Sequence, residues 1–462
     1  MLQQARGSTT ARRKTRRACS RSCTVRLARG NGSACNDNDN NNKNKKRGAR
    51  RVACAAGISI GEKATRYAQW PPVDADGQRG MAALRQRAWG RRVGARGASV
   101  LVVAGTRPEC IKLAPVVRAL DRAGLCAILV GSGQHPQAVR ATLAEFDLAP
   151  DVELPALPSL PNLASASTHL RVEIDAAIER YRPAAVVVQG DTLTAHAGAM
   201  SAARLRAPLA HVEAGLRTPS VGNPFPEEWF RRRIAAHATW HFAPTEGAAA
   251  HLRAEGIAPT RIHCVGNPGI DSLRDVLAAC GPTRARDANR VLVTLHRREN
   301  YDANADVICR ALLRLADAEP ALTLLLPVHP NPRIAARIRR RLGEHASFQL
   351  VEPMAYRPFI GAAAGAGLII SDSGGIQEEA PHLGTPLLVP RANTERPECL
   401  ATGFVRLTPI DEDTIVDSAR AMLAAPARPP VPIDADAPFG DGRAASRIAA
   451  ALQADLRVKA YA

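Results

Sequence analysis

The sequence predicts an α/β protein of two Rossmann-like parallel-sheet domains facing a cleft, behind a disordered basic extension. Three observations carry this reading. From Ala98 onward, short apolar runs alternate with Ala-, Arg- and Leu-rich helical stretches across Gly-, Pro- or Asp-bearing turns. That is the pattern of parallel strands covered by helices on both faces. The rhythm breaks at Asp275–Ala288 (DVLAACGPTRARDA), which carries a Gly-Pro, and then resumes. Finally, the charge is uneven. Of 62 Lys+Arg and 43 Asp+Glu, residues 1–97 hold 23 and 5, leaving 39 and 38 for the rest.

The globular part is therefore close to neutral, and the formal charge of +19 is not an argument for specific nucleic-acid binding. Residues 1–36 lack acids, and Asn36–Arg51 is a polar tract (NDNDNNNKNKKRGARR). Such composition buries too little apolar surface to offset chain entropy and predicts a disordered tail or an over-long start, with Met81 as an internal candidate start. An organelle presequence, a signal peptide around Val52–Ile60 and a contact with RNA or anionic lipid compete with that reading. No apolar run approaches the roughly 20 residues of a membrane-spanning helix. The ten cysteines form no CxxC pair, so neither a zinc site nor a disulfide framework is indicated, and reduced, cytoplasmic thiols are expected.

Strands are expected at Ser99–Ala104, Ala127–Val130, Ala185–Val188, Pro208–Val212 and Ile262–Val265 of the N-terminal domain (98–274). In the C-terminal domain (289–440) they are expected at Arg290–Leu295, Leu322–Val328, Phe348–Val351, Leu368–Ile370 and Pro386–Val389. Residues 441–462 are expected to supply a helix packing back on the first domain. Ligands of such sheets bind beyond the carboxyl ends of the strands, which singles out the loops Gly105–Lys112, Gln189–Thr194, Glu213–Glu228, His296–Asn300 and Ser371–Glu379.

Gly105-Thr106-Arg107-Pro108-Glu109 opens a helix. Pro suits the first helical position, and the helix N-terminus favours anions, so Arg107 and Lys112 are candidates to face a phosphate. A solvated turn with surface charges is the plainer reading of that motif alone. It is not GxGxxG, and no such fingerprint occurs, so no dinucleotide cofactor, nor any other cofactor or metal, is indicated. Asp191 in QGDT is either a base or a helix cap. With Glu213 (HVEAGLRT) and Glu227 (PFPEE) it forms a set of acids at one end of one domain, where neighbouring carboxylates separate acid and base roles. His296 follows a strand and is either hydrogen-bonded scaffolding or a donor to a phosphate oxygen or sugar hydroxyl. Ser373-Gly374-Gly375 ahead of a helix exposes N–H groups to a diphosphate. Glu379 lies one turn further on, positioned to accept from ribose hydroxyls, and Arg396 adds positive charge.

Taken together, GTRPE, QGDT, HVEAGLRT, PFPEE, FAPTE, GNPGID, LHRREN, SDSGGIQEEAP, TERPE and the late Gly440-Asp441-Gly442 resemble the non-hydrolysing UDP-N-acetylglucosamine 2-epimerase family over about residues 98–455. The resemblance implies a two-domain nucleotide-sugar glycosyltransferase-like fold and interconversion of UDP-GlcNAc with UDP-ManNAc, a precursor step for cell-surface polysaccharides. UDP is eliminated to a 2-acetamidoglucal and added back on the other face. It implies Asp191, Glu213 and Glu227 as acid/base groups, with Arg107, Lys112 and His296 stabilising the diphosphate. Ser373, Gly374, Gly375, Glu379, Arg396, Phe359 and Met354 would hold UDP, Met354 standing where the family often has Gln near uracil. A second, activating substrate site would fall at Gln134, Gln137, Arg297 and His329, and a homodimer is implied. After PFPEE, Trp229-Phe230-Arg231-Arg232-Arg233 stands where the family usually has Asn-Arg. The Arg is recovered and the Asn is not. A hydrolysing epimerase, an epimerase of another 2-acetamido UDP-sugar, a UDP-sugar glycosyltransferase and a non-catalytic UDP-sugar sensor are the competing functions.

Overall fold

A computed structural model describes residues 98–220, 224–280, 286–295, 303–433 and 437–460. All of them fall within one compact unit, Pro71–Ala462. The basic extension, His296 and Arg297 lie outside the described residues.

The first lobe runs β1 (Ser99–Ala104), α1 (Arg107–Arg122), β2 (Cys126–Gly131), α2 (Pro136–Ala144), β3 (Val152–Glu153), α3 (Leu163–Tyr181) and β4 (Ala185–Gln189). It continues through α4 (Leu193–Arg204), β5 (Leu209–Val212), α5 (Glu227–His237), β6 (Trp240–Ala243), α6 (Glu246–Ala254), β7 (Ile262–Cys264) and α7 (Pro268–Cys280). The second lobe comprises β8 (Asp287–Thr294), α8 (Ala303–Ala318), β9 (Thr323–Pro327), α9 (Pro332–Leu342), β10 (Phe348–Val351) and α10 (Tyr356–Ala364). After these come β11 (Ala366–Ser371), α11 (Gly374–Leu383), β12 (Leu387–Pro390), α12 (Glu398–Ala401), β13 (Val405–Thr408), α13 (Glu412–Ala424) and α14 (Ala444–Ala460).

The sheets are parallel, ordered β3-β2-β1-β4-β5-β6-β7 and β10-β9-β8-β11-β12-β13. Each order reverses beside its first strand, at the β1/β4 and β8/β11 boundaries, and those switch points open the crevices that bind ligands in such folds. Central strands such as β1 and β4 are Val-rich and, Ser99 apart, buried because helices cover both faces. Local signals set the helix starts. Pro108, Pro136 and Pro332 stand in first turns, and the side chains of Asn162, Thr245 and Asp411 cap α3, α6 and α13. Among the described residues no helix is long and apolar enough to cross a membrane.

Three strands differ from expectation. β3 has two residues, β6 (WHFA) mixes an aromatic pair with His241, and β13 (VRLT) is buried only at its two ends. None of them is a continuous aliphatic run, and pairing with neighbouring strands is what makes them strands. The segment Asp275–Ala288 is also not all separator. α7 continues to Cys280 because its apolar face does, with Val276 buried. The last helix, α14, lies against the first lobe, where Asp455 accepts from Trp240 Nε1 at 2.5 Å and Asp271 accepts from the N–H groups of Ala444 and Ala445.

The lobes are joined by more than chain continuity. Glu145, at the end of α2, accepts from the N–H groups of Tyr356 and Arg357 at 2.9 Å each, capping α10 of the other lobe. Thr245 donates to Glu398 Oε1 at 2.6 Å.

Candidate functional site

Between the lobes, the residues following β5 meet those around α11 and α12. Glu213 follows β5 with φ at 65°, a left-handed backbone that costs a non-glycine residue about 1–2 kcal/mol. Gly215 follows at φ 89°, and a Cβ there would lie 2.2 Å from the Ala248 carbonyl oxygen, so only glycine fits the turn. The turn drives the Glu213 carboxylate into a buried cluster. Lys112 Nζ donates to Glu213 Oε2 at 2.7 Å and to Glu378 Oε2 at 3.4 Å. Arg396 donates through Nη2 to Glu213 Oε1 at 2.7 Å, through Nη1 to Glu395 Oε1 at 2.6 Å, and through Nε to Glu378. Arg391 closes the set on Glu395 Oε2 at 2.7 Å. Gln189 Nε2 also donates to Glu213.

All six ions are buried, three cations against three carboxylates, so the charge is balanced where water cannot screen it. Burial alone would push the Glu213 carboxyl up, but Lys112 and Arg396 outweigh it and hold it below the usual range. Burial likewise works against the charge on Lys112, and Glu213 with Glu378 overrides it to keep the ammonium protonated.

A second group centres on Asp191, about one-third exposed and paired with Arg231 Nη1. The helix cap here is not Asp191. Thr192 accepts from Ala195 N at 3.0 Å, which frees the acid for Arg231. Arg231 also donates to Glu228 Oε2 at 2.9 Å, and Glu228 accepts from Thr218 N at 3.1 Å, so HVEAGLRT and PFPEE are fastened to QGDT. His211 adds a brace. Burial drives its pKa down to about 3, leaving a neutral ring whose Nε2–H donates to the Gly190 carbonyl at 2.8 Å. Glu227 begins α5 next to Glu228 and is half-buried.

Ser373 stands at the N-cap position of α11 without a side-chain cap bond, with Gly374 and Gly375 in the first turn. A Cβ on Gly374 would lie 2.6 Å from Arg396 Nη1, which places this N-terminus against the cluster. Glu379 accepts from Tyr356 Oη at 2.6 Å. Burial raises its pKa to about 7, and nearby Lys112 and Arg107 pull the other way. Arg107 is lowered by burial, while Glu145, Glu379 and Tyr356 lie close enough to raise it. Phe359 packs half-buried against the core and Met354 is half-buried before α10.

Residues expected at a second site lie at several places. Gln134 Oε1 accepts from Thr194 N at 3.1 Å and Thr194 Oγ1 at 2.7 Å, so its side chain is engaged at the start of α4. Gln137 is exposed on α2. His329 follows β9, and its Nδ1 accepts from Asn331 N at 3.0 Å.

Sequence reasoning left out Glu378, Glu395, Arg231 and Tyr356 as site residues. Glu378 and Glu379 are adjacent in one motif, and only the helix phase, which aims one at Lys112 and the other at Tyr356, separates their partners. A surface cavity of about 390 Å³ beside Arg217, Arg232 and Glu255 is a separate feature, and Arg217 and Glu255 already neutralise each other through bonds of 2.7 and 2.6 Å. Among the described residues no group of three His, Cys, Asp or Glu side chains is arranged to hold a metal.

Comparison with known proteins adds independent findings. The sequence model of the family described as UDP-N-acetylglucosamine 2-epimerase matches residues 118–453. A probable UDP-N-acetylglucosamine 2-epimerase of Ralstonia solanacearum is 38% identical over 370 residues, 77% of this chain and 98% of the relative. The UDP-N-acetylglucosamine 2-epimerase of Escherichia coli (strain K12) is 37% identical over 372 residues, with the same coverage. Among solved structures, UDP-GlcNAc 2-epimerase from Neisseria meningitidis bound to UDP-GlcNAc superposes with a TM-score of 0.71 at 32% identity, covering 77% of this chain and 99% of that one. The Methanocaldococcus jannaschii enzyme in complex with UDP-GlcNAc and UDP gives 0.69 at 29% identity, covering 79% and 100%.

Proposed function

The chain belongs to the UDP-N-acetylglucosamine 2-epimerase family, and on that premise we propose that it interconverts UDP-GlcNAc and UDP-ManNAc by eliminating UDP and adding it back. The observation that carries this reading is the buried Glu213–Lys112–Arg396 cluster, which joins an ionised carboxylate of one lobe to a cation flanking the α11 N-terminus of the other.

In the forward step a carboxylate takes the C2 proton, the C1–O bond to the diphosphate breaks, and its electron pair leaves with UDP. A C1=C2 double bond remains in a 2-acetamidoglucal. Return of a proton to the opposite face of C2 and of the diphosphate oxygen to C1 completes the inversion. Electrons balance without net oxidation. The C2 proton is weakly acidic, so a positioned base and a stabilised leaving group are both needed. Asp191, Glu213 and Glu227 are the acid/base groups of this reading, and Arg107, Lys112 and His296 face the diphosphate. His296 enters from its motif alone. Ser373, Gly374 and Gly375 offer N–H groups to the diphosphate beside Arg396. Glu379 accepts from ribose hydroxyls, and Phe359 and Met354 flank the base. A homodimer in the cytoplasm belongs to the same reading.

The test is proton NMR of UDP-GlcNAc with purified protein in D2O. Deuterium at C2 together with UDP-ManNAc signals is the expected result. Free N-acetylmannosamine and UDP accumulating in step with turnover would replace the reading with a hydrolysing epimerase, and an unexchanged C2 proton would defeat epimerisation of this sugar.

A further inference from the structure

The first turn of α1 holds a buried acid that the reaction as described does not use. Glu109 is fully buried, and both of its oxygens are acceptors. Oε2 receives Gly105 N–H at 3.0 Å and Thr106 Oγ1 at 2.8 Å, and Oε1 receives Thr192 Oγ1 at 2.7 Å. Thr192 in turn accepts from Ala195 N at 3.0 Å, so its hydroxyl has a fixed direction. Two of these donors belong to the turn after β1 that carries Arg107. The third belongs to the turn after β4 that carries Asp191, and β1 and β4 are neighbours in the sheet.

We propose that Glu109 is a positioning residue that locks the Arg107 turn to the Asp191 turn and so fixes the diphosphate-facing cation relative to the acid/base carboxylate. The donors suit a carboxylate: the Gly105 N–H fixes Oε2 as an acceptor, and a glutamine would then turn its NH2 group toward Thr192, whose hydroxyl would have to turn away and give up its bond to this residue. Burial raises the Glu109 pKa to about 7 against the pull of these same bonds, so this acid is retained at a cost in charge burial. Reaction rates respond steeply to misplacements of about 1 Å between reacting groups, on the order of 10²-fold. This inference rests on the epimerase reading.

The experiment compares wild-type protein with Glu109→Gln, Thr192→Ala, Thr192→Ser and the Glu109→Gln/Thr192→Ala pair, using UDP-GlcNAc turnover, UDP titration and amide hydrogen exchange. Glu109→Gln is expected to lower kcat by roughly 10–100-fold while KM and UDP affinity stay within about threefold. Amide exchange should quicken at residues 105–107 and 190–195 and stay unchanged in β1 and β4. The double variant should lose little more than the worse single one, and Thr192→Ser should recover most of the Thr192→Ala loss. Wild-type kcat in Glu109→Gln, UDP binding lost in step with kcat, additive losses, or faster exchange throughout the first sheet would each overturn the proposal. A wild-type protein that leaves the C2 hydrogen in place refutes the epimerase reading and the catalytic half of this one. Unchanged exchange in the two turns of Glu109→Gln refutes the coupling itself.

Discussion

Replacing Lys112 with Met removes one cation from the balanced cluster while keeping the length and apolar character of the side chain. At an effective dielectric of about 20, the 2.7 Å pair with Glu213 and the 3.4 Å pair with Glu378 correspond to roughly 6 and 5 kcal/mol of attraction. Desolvating the ions consumes much of this, and deleting one partner of a buried pair costs about 3–5 kcal/mol because the other charge is left buried. At roughly 1.3 °C per kcal/mol for a folded part of this size, Tm should fall by about 4–7 °C at pH 7 without nucleotide.

The pH dependence has a definite sign. Glu213 is held below its ordinary range and Lys112 above its own, so the pair stabilises the protein from above the carboxyl's depressed pKa to below the ammonium's raised one. The gap between wild type and Lys112→Met should therefore narrow as pH falls from 7 to 5, because Glu213, left with Arg396 in place of two cations, takes up a proton more readily. Lys112→Met/Glu213→Gln restores charge balance, two cations against two carboxylates, and should regain at least half of the lost stability. Scanning calorimetry of wild type, Lys112→Met, Glu213→Gln and the double variant at pH 5 and 7 measures this. A single-variant cost under about 1 kcal/mol, as for a solvent-screened pair, or a double variant as unstable as the summed singles, would refute the buried-cluster account.

Asp191→Asn should cut turnover by about 10²–10⁴-fold and leave UDP affinity within about threefold in calorimetric titration, and a parallel loss of UDP binding would count against its acid/base role. Glu379 has a pKa raised to about 7, so the native protein holds its proton where the unfolded chain releases it. Its contribution is complete below about pH 4.5 and is lost as pH rises through 7. Glu379→Gln should consequently gain Tm relative to wild type between pH 5 and 8 while losing UDP affinity, and a gap that does not change with pH would show that the carboxyl is not buried as described. In Gly105→Ala the new methyl would meet Thr194 Oγ1 at 2.0 Å and Ser132 Oγ at 2.3 Å, two hydroxyls bonded to each other at 2.7 Å. A loss of about 1–3 kcal/mol in urea titration is expected, and an unaffected midpoint would mean that the turn yields freely.

The two-sheet architecture was legible because aliphatic runs such as Ser99–Ala104 and Ala185–Gln189 are buried on both faces, and double burial leaves a continuous apolar signature in the chain. Strands such as Trp240–Ala243, between β5 and β7, and Val405–Thr408, at the edge of its sheet, carry no such signature, since neighbouring strands supply the pairing that defines them. The site divides along the same line. Asp191, Glu213, Lys112, Ser373 and Arg396 stand in motifs whose residue types and positions after strands are readable one after another. Their partners are not, because Lys112 meets Glu213 from 101 residues away and Glu378 from 266. By itself the sequence determined the sheets, the loops that end at their carboxyl edges and the family of the chain. Which carboxylate is ionised by two cations, which is raised by burial and which is tied between two turns was decided only by the tertiary structure, since pKa and hydrogen-bond direction depend on distance and burial rather than on order along the chain.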